Sequence, residues 1–134
     1  MATVNSESLP LTSEQDIVLA RQAVRKAAQQ IGLSLVDQTK IVTAASELAR
    51  NAFVYGCDGA LEWRIITNNG RQGLQLTVTD QGPGIEDLTL AMKDGWTTSG
   101  GLGMGLPGAK RLVNEFKITS QPGVGTTVIV IRWK

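Results

Sequence analysis

Asp80-Gln81-Gly82-Pro83-Gly84-Ile85 places one carboxylate and two glycines at the end of a strand-like run, Leu74 to Thr79. A carboxylate there can accept a hydrogen bond from a ligand's amino group, and the glycines let backbone approach that ligand closely. By itself Asp-x-Gly-x-Gly also describes ordinary turns. A second group is Glu47 and Asn51, four residues apart in a helical pattern. At about 100° per residue they lie roughly 40° apart on one face. An Asn oxygen suits Mg²⁺, and a Glu can orient or deprotonate a nucleophile. Taken alone, the same pair describes a solvated helix edge. A third group is Ser99-Gly100-Gly101-Leu102-Gly103-Met104-Gly105, a glycine-rich loop ahead of a helix. Free N–H groups at a helix start make a phosphate cradle; the bland alternative is a surface loop. It is not a P-loop, because no Gly-Lys-Ser/Thr follows. It is not a dinucleotide fingerprint, because no strand leads directly into it. The fourth group is Gly123-x-Gly125-Thr126.

Composition narrows the classes. The 134 residues carry a net charge of +1 with no basic run, which disfavours nucleic acid as a partner. No histidine occurs, which excludes His triads, His metal sites and phosphohistidine on this chain. Cys57 is the only cysteine, so no intrachain disulfide can form. No apolar run reaches the roughly 18–20 residues of a membrane span. The first residues lack the pattern of a signal peptide. A soluble cytoplasmic protein of one domain, residues 1–134, is expected.

The elements that must position these groups follow from periodicity. Residues 2–11 are read as an edge strand whose pairing Pro10 would limit. Thr12 or Ser13 caps a helix, with Gln15 or Asp16 placed for a capping box. Ile17, Ala20, Val24, Ala27, Ala28 and Ile31 form its apolar stripe, and Gly32 ends it. A second helix starts near Ser34 or Asp37, buries Ile41, Ala44, Ala45, Leu48 and Ala52, and ends at Gly56. Leu61 to Thr67 and Gly73 to Thr79 form a hairpin across Asn68-Asn69-Gly70. Asp87 to Lys93 reads as a short helix, and Leu106 to Glu115 as a longer one with Pro107 in its first turn. Phe116 to Ser120 and Thr126 to Trp133 form a second hairpin. The expected fold is α+β: a two-layer sandwich with a mixed, mostly antiparallel sheet and helices packed on one face.

In this order, the four groups resemble the GHKL (Bergerat-fold) ATP-binding fold of gyrase, the Hsp90 chaperone, histidine kinases and MutL. Ser46 to Asn51 resembles its N box. Asp80 to Gly84, Gly101 to Leu106 and Gly123 to Thr127 resemble its three glycine boxes. The likeness runs from Thr12 to the end. Within that fold the chain is most similar to the anti-sigma-factor-type serine/threonine kinases, including the stressosome switch kinases. Asp37-Gln38, Thr98 to Gly103 and Gly105 to Leu112 add to this.

The resemblance implies an ATP- and Mg²⁺-dependent kinase acting on a serine or threonine of a STAS-domain antagonist protein. It also implies partner switching, with activation of a PP2C-type phosphatase when the antagonist is released. Carried over by position, Asp80 accepts the adenine amino group, Gly82 and Gly84 make room for the purine, and Thr126 supports it. Asn51 holds Mg²⁺, and Glu47 is the general base. Ser99, Gly100, Gly101, Leu102, Gly103, Met104 and Gly105 line the phosphates. Lys110 and Arg111 either neutralise phosphate or form a solvated helix face. Arg50 points toward a partner surface. The alternative is a nucleotide-dependent binding module or anti-sigma factor that sequesters or activates its partner without phosphotransfer.

Overall fold

A computed structural model of the chain describes residues 2–85 and 105–134. The short helix read at residues 87–93 and most of the glycine loop at 95–105 lie outside the described residues. The elements run β1 (Ala2–Leu11), α1 (Glu14–Gln30), α2 (Leu35–Tyr55), β2 (Gly59–Asn68), β3 (Arg71–Asp80), α3 (Gly105–Arg111), β4 (Glu115–Gln121) and β5 (Gly125–Trp133). The strands lie in the order β1-β2-β3-β5-β4, and every described pair is antiparallel. The expected α+β class is therefore met by a wholly antiparallel described sheet. Residues 2–11 do form its edge strand, and Pro10 sits opposite Ala60 near the strand's end.

The helix starts follow the cap residues. Ser13 Oγ accepts the Asp16 N–H at 3.1 Å, and the Asp16 carboxylate accepts from the Thr12 N–H and hydroxyl at 2.9 and 3.0 Å. Two otherwise orphaned donors are thereby satisfied reciprocally. Those bonds from Thr12 hold the Asp16 carboxyl below its usual range. Ser34 caps α2 in the same way, through the Asp37 N–H at 3.1 Å.

Period-2 alternation in the strands and the alanine-rich helix stripes make one buried layer. Leu61, Trp63, Ile65, Leu74, Leu76, Val78, Val128 and Val130 meet Ile17, Val24, Ile41 and Leu48. Ala20, Ala44, Ala45 and Ala49 are fully buried, and their small side chains let helix and sheet backbones approach closely. Each large apolar side chain so buried contributes about 1.5–3 kcal/mol. Trp63 belongs to this layer and donates from Nε1 to Glu7 at 3.1 Å. Trp133 lies on the opposite sheet face over Gly73, with the Arg71 guanidinium 5.7 Å from its ring centre.

One helix is shorter than its sequence reads. The pattern extends to Glu115, but α3 ends at Arg111. The Leu112 N–H closes a tight last turn on Ala109 O at 3.1 Å. The Asn114 N–H then bonds Ile131 O at 2.9 Å, and Asn114 Oδ1 accepts the Trp133 N–H at 2.7 Å. Pairing with β5 captures the chain there, placing Phe116 opposite Val130 and Ile118 opposite Val128. Strand ladder and apolar burial outweigh the few tenths of a kcal/mol of helix propensity at those positions.

α2 is tied to the sheet by an ion pair. Arg132 Nη2 bonds Asp37 Oδ1 at 2.6 Å, and Arg132 Nη1 donates to Leu112 O at 3.3 Å. The Arg132 contact, opposed by partial burial, holds the Asp37 carboxyl below its usual range. A lowered folded value stabilises the fold above the unfolded carboxylate range, and that stabilisation is lost as pH falls through the folded value. Arg132→Ala is expected to lower unfolding free energy by about 1 kcal/mol at neutral pH, since the pair is partly solvated. The deficit should shrink below pH ~4. Chemical denaturation at both pH values measures it; a deficit independent of pH would discount the ion pair.

Candidate functional site

α2, the β3 terminus and the β4–β5 hairpin meet around a partly open cleft. Its walls are Leu48, Asn51 and Ala52 of α2, Val78 and Asp80 of β3, Gly84 and Ile85 beyond it, Leu106 of α3, and Thr126 and Val128 of β5. Apolar walls with a few convergent polar groups are the lining expected of a small-molecule site. Asp80, Asn51, Gly84 and Thr126, far apart in sequence, are thus brought together.

Asp80 is the last residue of β3 and pairs with Thr126 across the ladder. Its Oδ1 accepts the Gly82 N–H at 2.9 Å, which aims the carboxylate. Burial pushes the Asp80 carboxyl above its usual range, and backbone donors from Gly82 and Thr126 only partly offset this. No cation pairs with it among the described residues. An unpaired, half-buried carboxylate kept by the fold is an acceptor waiting for a donor.

The loop after Asp80 is pinned from both sides. The Gln81 N–H bonds Cys57 O at 2.6 Å, and the Gly123 N–H bonds Pro83 O at 2.7 Å. Gly84 has φ +76, and a Cβ there would stand 2.4 Å from Gln121 O. Gly82 is buried; a Cβ on it would stand 2.7 Å from the Gly56 Cα. Gly82 therefore packs behind the carboxylate rather than lining the cleft.

Asn51 faces the cleft from α2. Its Nδ2 is buried and without a partner, and its amide makes no hydrogen bond among the described residues. A buried donor left unpaired costs about 1–3 kcal/mol, which a ligand acceptor in the cleft would recover. Glu47 stands one turn earlier. It is exposed, free of hydrogen bonds and ion pairs among the described residues, and outside the cleft's lining. Gly105 opens α3, while Ser99, Gly100, Gly101, Leu102, Gly103 and Met104 lie outside the described residues. Lys110 and Arg111 are exposed in the last turn of α3. Arg50 is exposed and 3.6 Å from Glu14 of α1, away from the cleft.

Two residues of the site, Gly56 and Ser120, escape a sequence reading, and the physical reason for a third, Gly125, appears only in the structure. Gly56 reads only as a helix terminator, yet a Cβ there would stand 2.5 Å from Asp80 Cγ and 2.6 Å from Ala52 O. Any side chain at 56 displaces the carboxylate. Gly125 has φ +146, and a Cβ would stand 2.1 Å from Asp80 O, so glycine is what lets the hairpin close on β3. Ser120 reads as a strand residue, yet its Oγ accepts the Ile85 N–H at 2.7 Å and meets Thr126 Oγ1 at 2.9 Å. Its place beside the third glycine pair is the one sequence signal for it.

Comparison with known proteins gives the same class as fold and cleft. Residues 9–133 match the histidine kinase-like ATPase domain family. The serine/threonine-protein kinase RsbT of Bacillus subtilis is 47% identical over 123 residues, covering 92% of each chain. An anti-sigma F factor of Halalkalibacterium halodurans is 31% identical over 121 residues, covering 87% of this chain and 83% of that one. The RsbU and RsbW domains of a Mycobacterium tuberculosis protein superpose with a TM-score of 0.67 at 21% identity. That match covers 98% of this chain and 33% of the longer one. A mycobacterial sensor histidine kinase, MprB, shares the fold at a TM-score of 0.57 and 18% identity, covering 96% and 97% of the two chains. The chain belongs to the histidine kinase-like ATPase domain family, in its branch of protein serine/threonine kinases that includes RsbT. No helix among the described residues is long and apolar enough to cross a membrane.

Proposed function

We propose that this chain, as one ATP-binding domain, transfers the γ-phosphoryl group of ATP to a serine or threonine of a STAS-domain antagonist protein. It is also a partner switch that, once free of the antagonist, activates a PP2C-type phosphatase in a cytoplasmic stress-signalling pathway. The observation that carries the reading is the unpaired Asp80 carboxylate in an apolar cleft, facing a spare Asn51 amide.

Asp80 accepts the adenine amino group, and Thr126 supports the base. Asn51 Oδ1 accepts no hydrogen bond among the described residues and is the amide atom that fits an Mg²⁺ ligand, while the unpartnered Nδ2 is a donor available to a ligand oxygen. No cluster of three or more Asp, Glu, His or Cys side chains suited to a metal occurs among the described residues. Asn51 would then be a single protein ligand to an ion held chiefly by phosphate and water, as Mg²⁺ prefers. The ion supplies charge neutralisation at the phosphates. Ser99 to Gly105 offers backbone N–H groups to the same phosphates.

Glu47 takes the proton of the acceptor hydroxyl. The hydroxyl oxygen bonds to the γ-phosphorus, the bond to the bridging oxygen of ADP breaks, and the products are a phosphoester and ADP. Positioning and charge stabilisation supply most of the acceleration. The exposure of Glu47 suits this role, because its partner is a residue of another protein. The competing reading is a binding module shaped by nucleotide that transfers nothing. Incubation with Mg-ATP and a STAS acceptor separates the two: phosphoester on the acceptor supports transfer, and a stable complex with no phosphoester supports the module.

A further inference from the structure

The structure assigns Ser120 as a positioning residue that fixes the hydroxyl proton of Thr126 and thereby the preference of the cleft for an adenine over a guanine edge. The inference rests on the reading of this cleft as the purine site. It follows from counting protons around one oxygen.

Among the described residues Ser120 Oγ has three polar neighbours: Ile85 N at 2.7 Å, Thr126 Oγ1 at 2.9 Å and Gly125 O at 3.2 Å. A serine hydroxyl has one proton and two lone pairs. The Ile85 N–H can only donate, so it occupies one lone pair. Gly125 O can only accept, so it needs the Ser120 proton. What is left for Thr126 is the second lone pair, and Thr126 must donate to it. This is the one arrangement that makes all three contacts hydrogen bonds. If Ser120 donated to Thr126 instead, Ser120 Oγ would face Gly125 O with no proton between them.

The consequence reaches the cleft that Thr126 lines. With its proton turned back toward Ser120, Thr126 offers only lone pairs outward. Its ladder partner Asp80 carries an acceptor carboxylate in the same cleft. The 6-position of adenine presents an amino donor, whereas guanine presents a carbonyl acceptor there. Two acceptors favour the first and oppose the second. Without Ser120 the Thr126 hydroxyl is free to rotate and donate, and part of the discrimination disappears.

The test compares ATP and GTP binding to the whole chain by calorimetry. Ser120→Thr and Ser120→Val differ only by hydroxyl against methyl, so any cost of branching at this strand position is common to both. The ATP-over-GTP ratio should be unchanged in Ser120→Thr and narrowed about three- to tenfold in Ser120→Val. In a Thr126→Val background, Ser120→Val should not change the ratio further. Thr126→Val alone leaves the Ile85–Ser120 bond in place and should narrow the ratio comparably. An unchanged ratio there overturns the proposal even if Ser120→Val does not fold. Equal weakening of both nucleotides by Ser120→Val also overturns it, because Ser120 would then only hold Ile85. A wild-type chain that binds neither nucleotide overturns the purine-site reading and this proposal together.

Discussion

Glu47→Ala is expected to lower phosphotransfer to a protein acceptor by about 10²–10⁴-fold, the usual contribution of a positioned general base. ATP affinity should stay within about twofold of wild type, because a loss confined to the chemical step leaves ground-state binding alone. The structure gives the reason for the separation. Glu47 lies outside the lining of the cleft, has no bonding partner among the described residues, and is exposed on α2. Removing it breaks nothing in the fold, and alanine is the best helix former for the position. Its neighbour Asn51, one turn along, faces the cleft and should show the opposite balance, with nucleotide affinity affected directly. Single-turnover transfer combined with equilibrium ATP binding measures both quantities. Glu47→Ala with full transfer would remove Glu47 from the mechanism; equal losses of binding and transfer would make it a ligand of the nucleotide.

Asp80→Asn should lower ATP affinity by about 10- to 100-fold, the cost of replacing a charged hydrogen-bond acceptor by a neutral one. It should not lower the stability of the free protein near neutral pH. Burial raises the Asp80 carboxyl, with Gly82 and Thr126 donors partly offsetting. A raised folded value favours folding below the unfolded carboxylate range, and this stabilisation is lost as pH rises through the folded value. At neutral pH the ionised Asp80 is therefore a cost, which Asn relieves while its Oδ1 keeps the Gly82 N–H satisfied. Thermal melts of the apo variant should match or exceed wild type, and the difference should fade toward pH 4 and below. A variant that binds ATP normally would detach Asp80 from the nucleotide.

Helix and strand registers were legible because local rules and tertiary packing agree in them. Ser13 and Ser34 cap, Asn69 and Gly70 turn, and the stripes of α1 and α2 are the buried ones. The α3 terminus was not legible, because pairing of residues 114–121 with β5 is a long-range competitor that periodicity does not see. Within the site, Asp80, Asn51, Gly84 and Thr126 stand in recurring motifs and meet in the cleft. Gly82 stands in the same motif but packs against Gly56 and supports Asp80 from behind, outside the lining of the cleft. Gly56 and Ser120 act on Asp80 and Thr126 across 24 and 6 residues of sequence, through a close approach and a shared proton. Neither relation leaves a local pattern.

The most direct measurement is transfer of radiolabelled γ-phosphate from Mg-ATP to a STAS-domain acceptor, followed by phosphoamino-acid analysis. The account predicts an acid-stable phosphoserine or phosphothreonine on the acceptor, with wild-type labelling dependent on Asp80 for nucleotide affinity and on Glu47 for transfer. A protein that binds ATP and the acceptor yet leaves the acceptor unlabelled would contradict it.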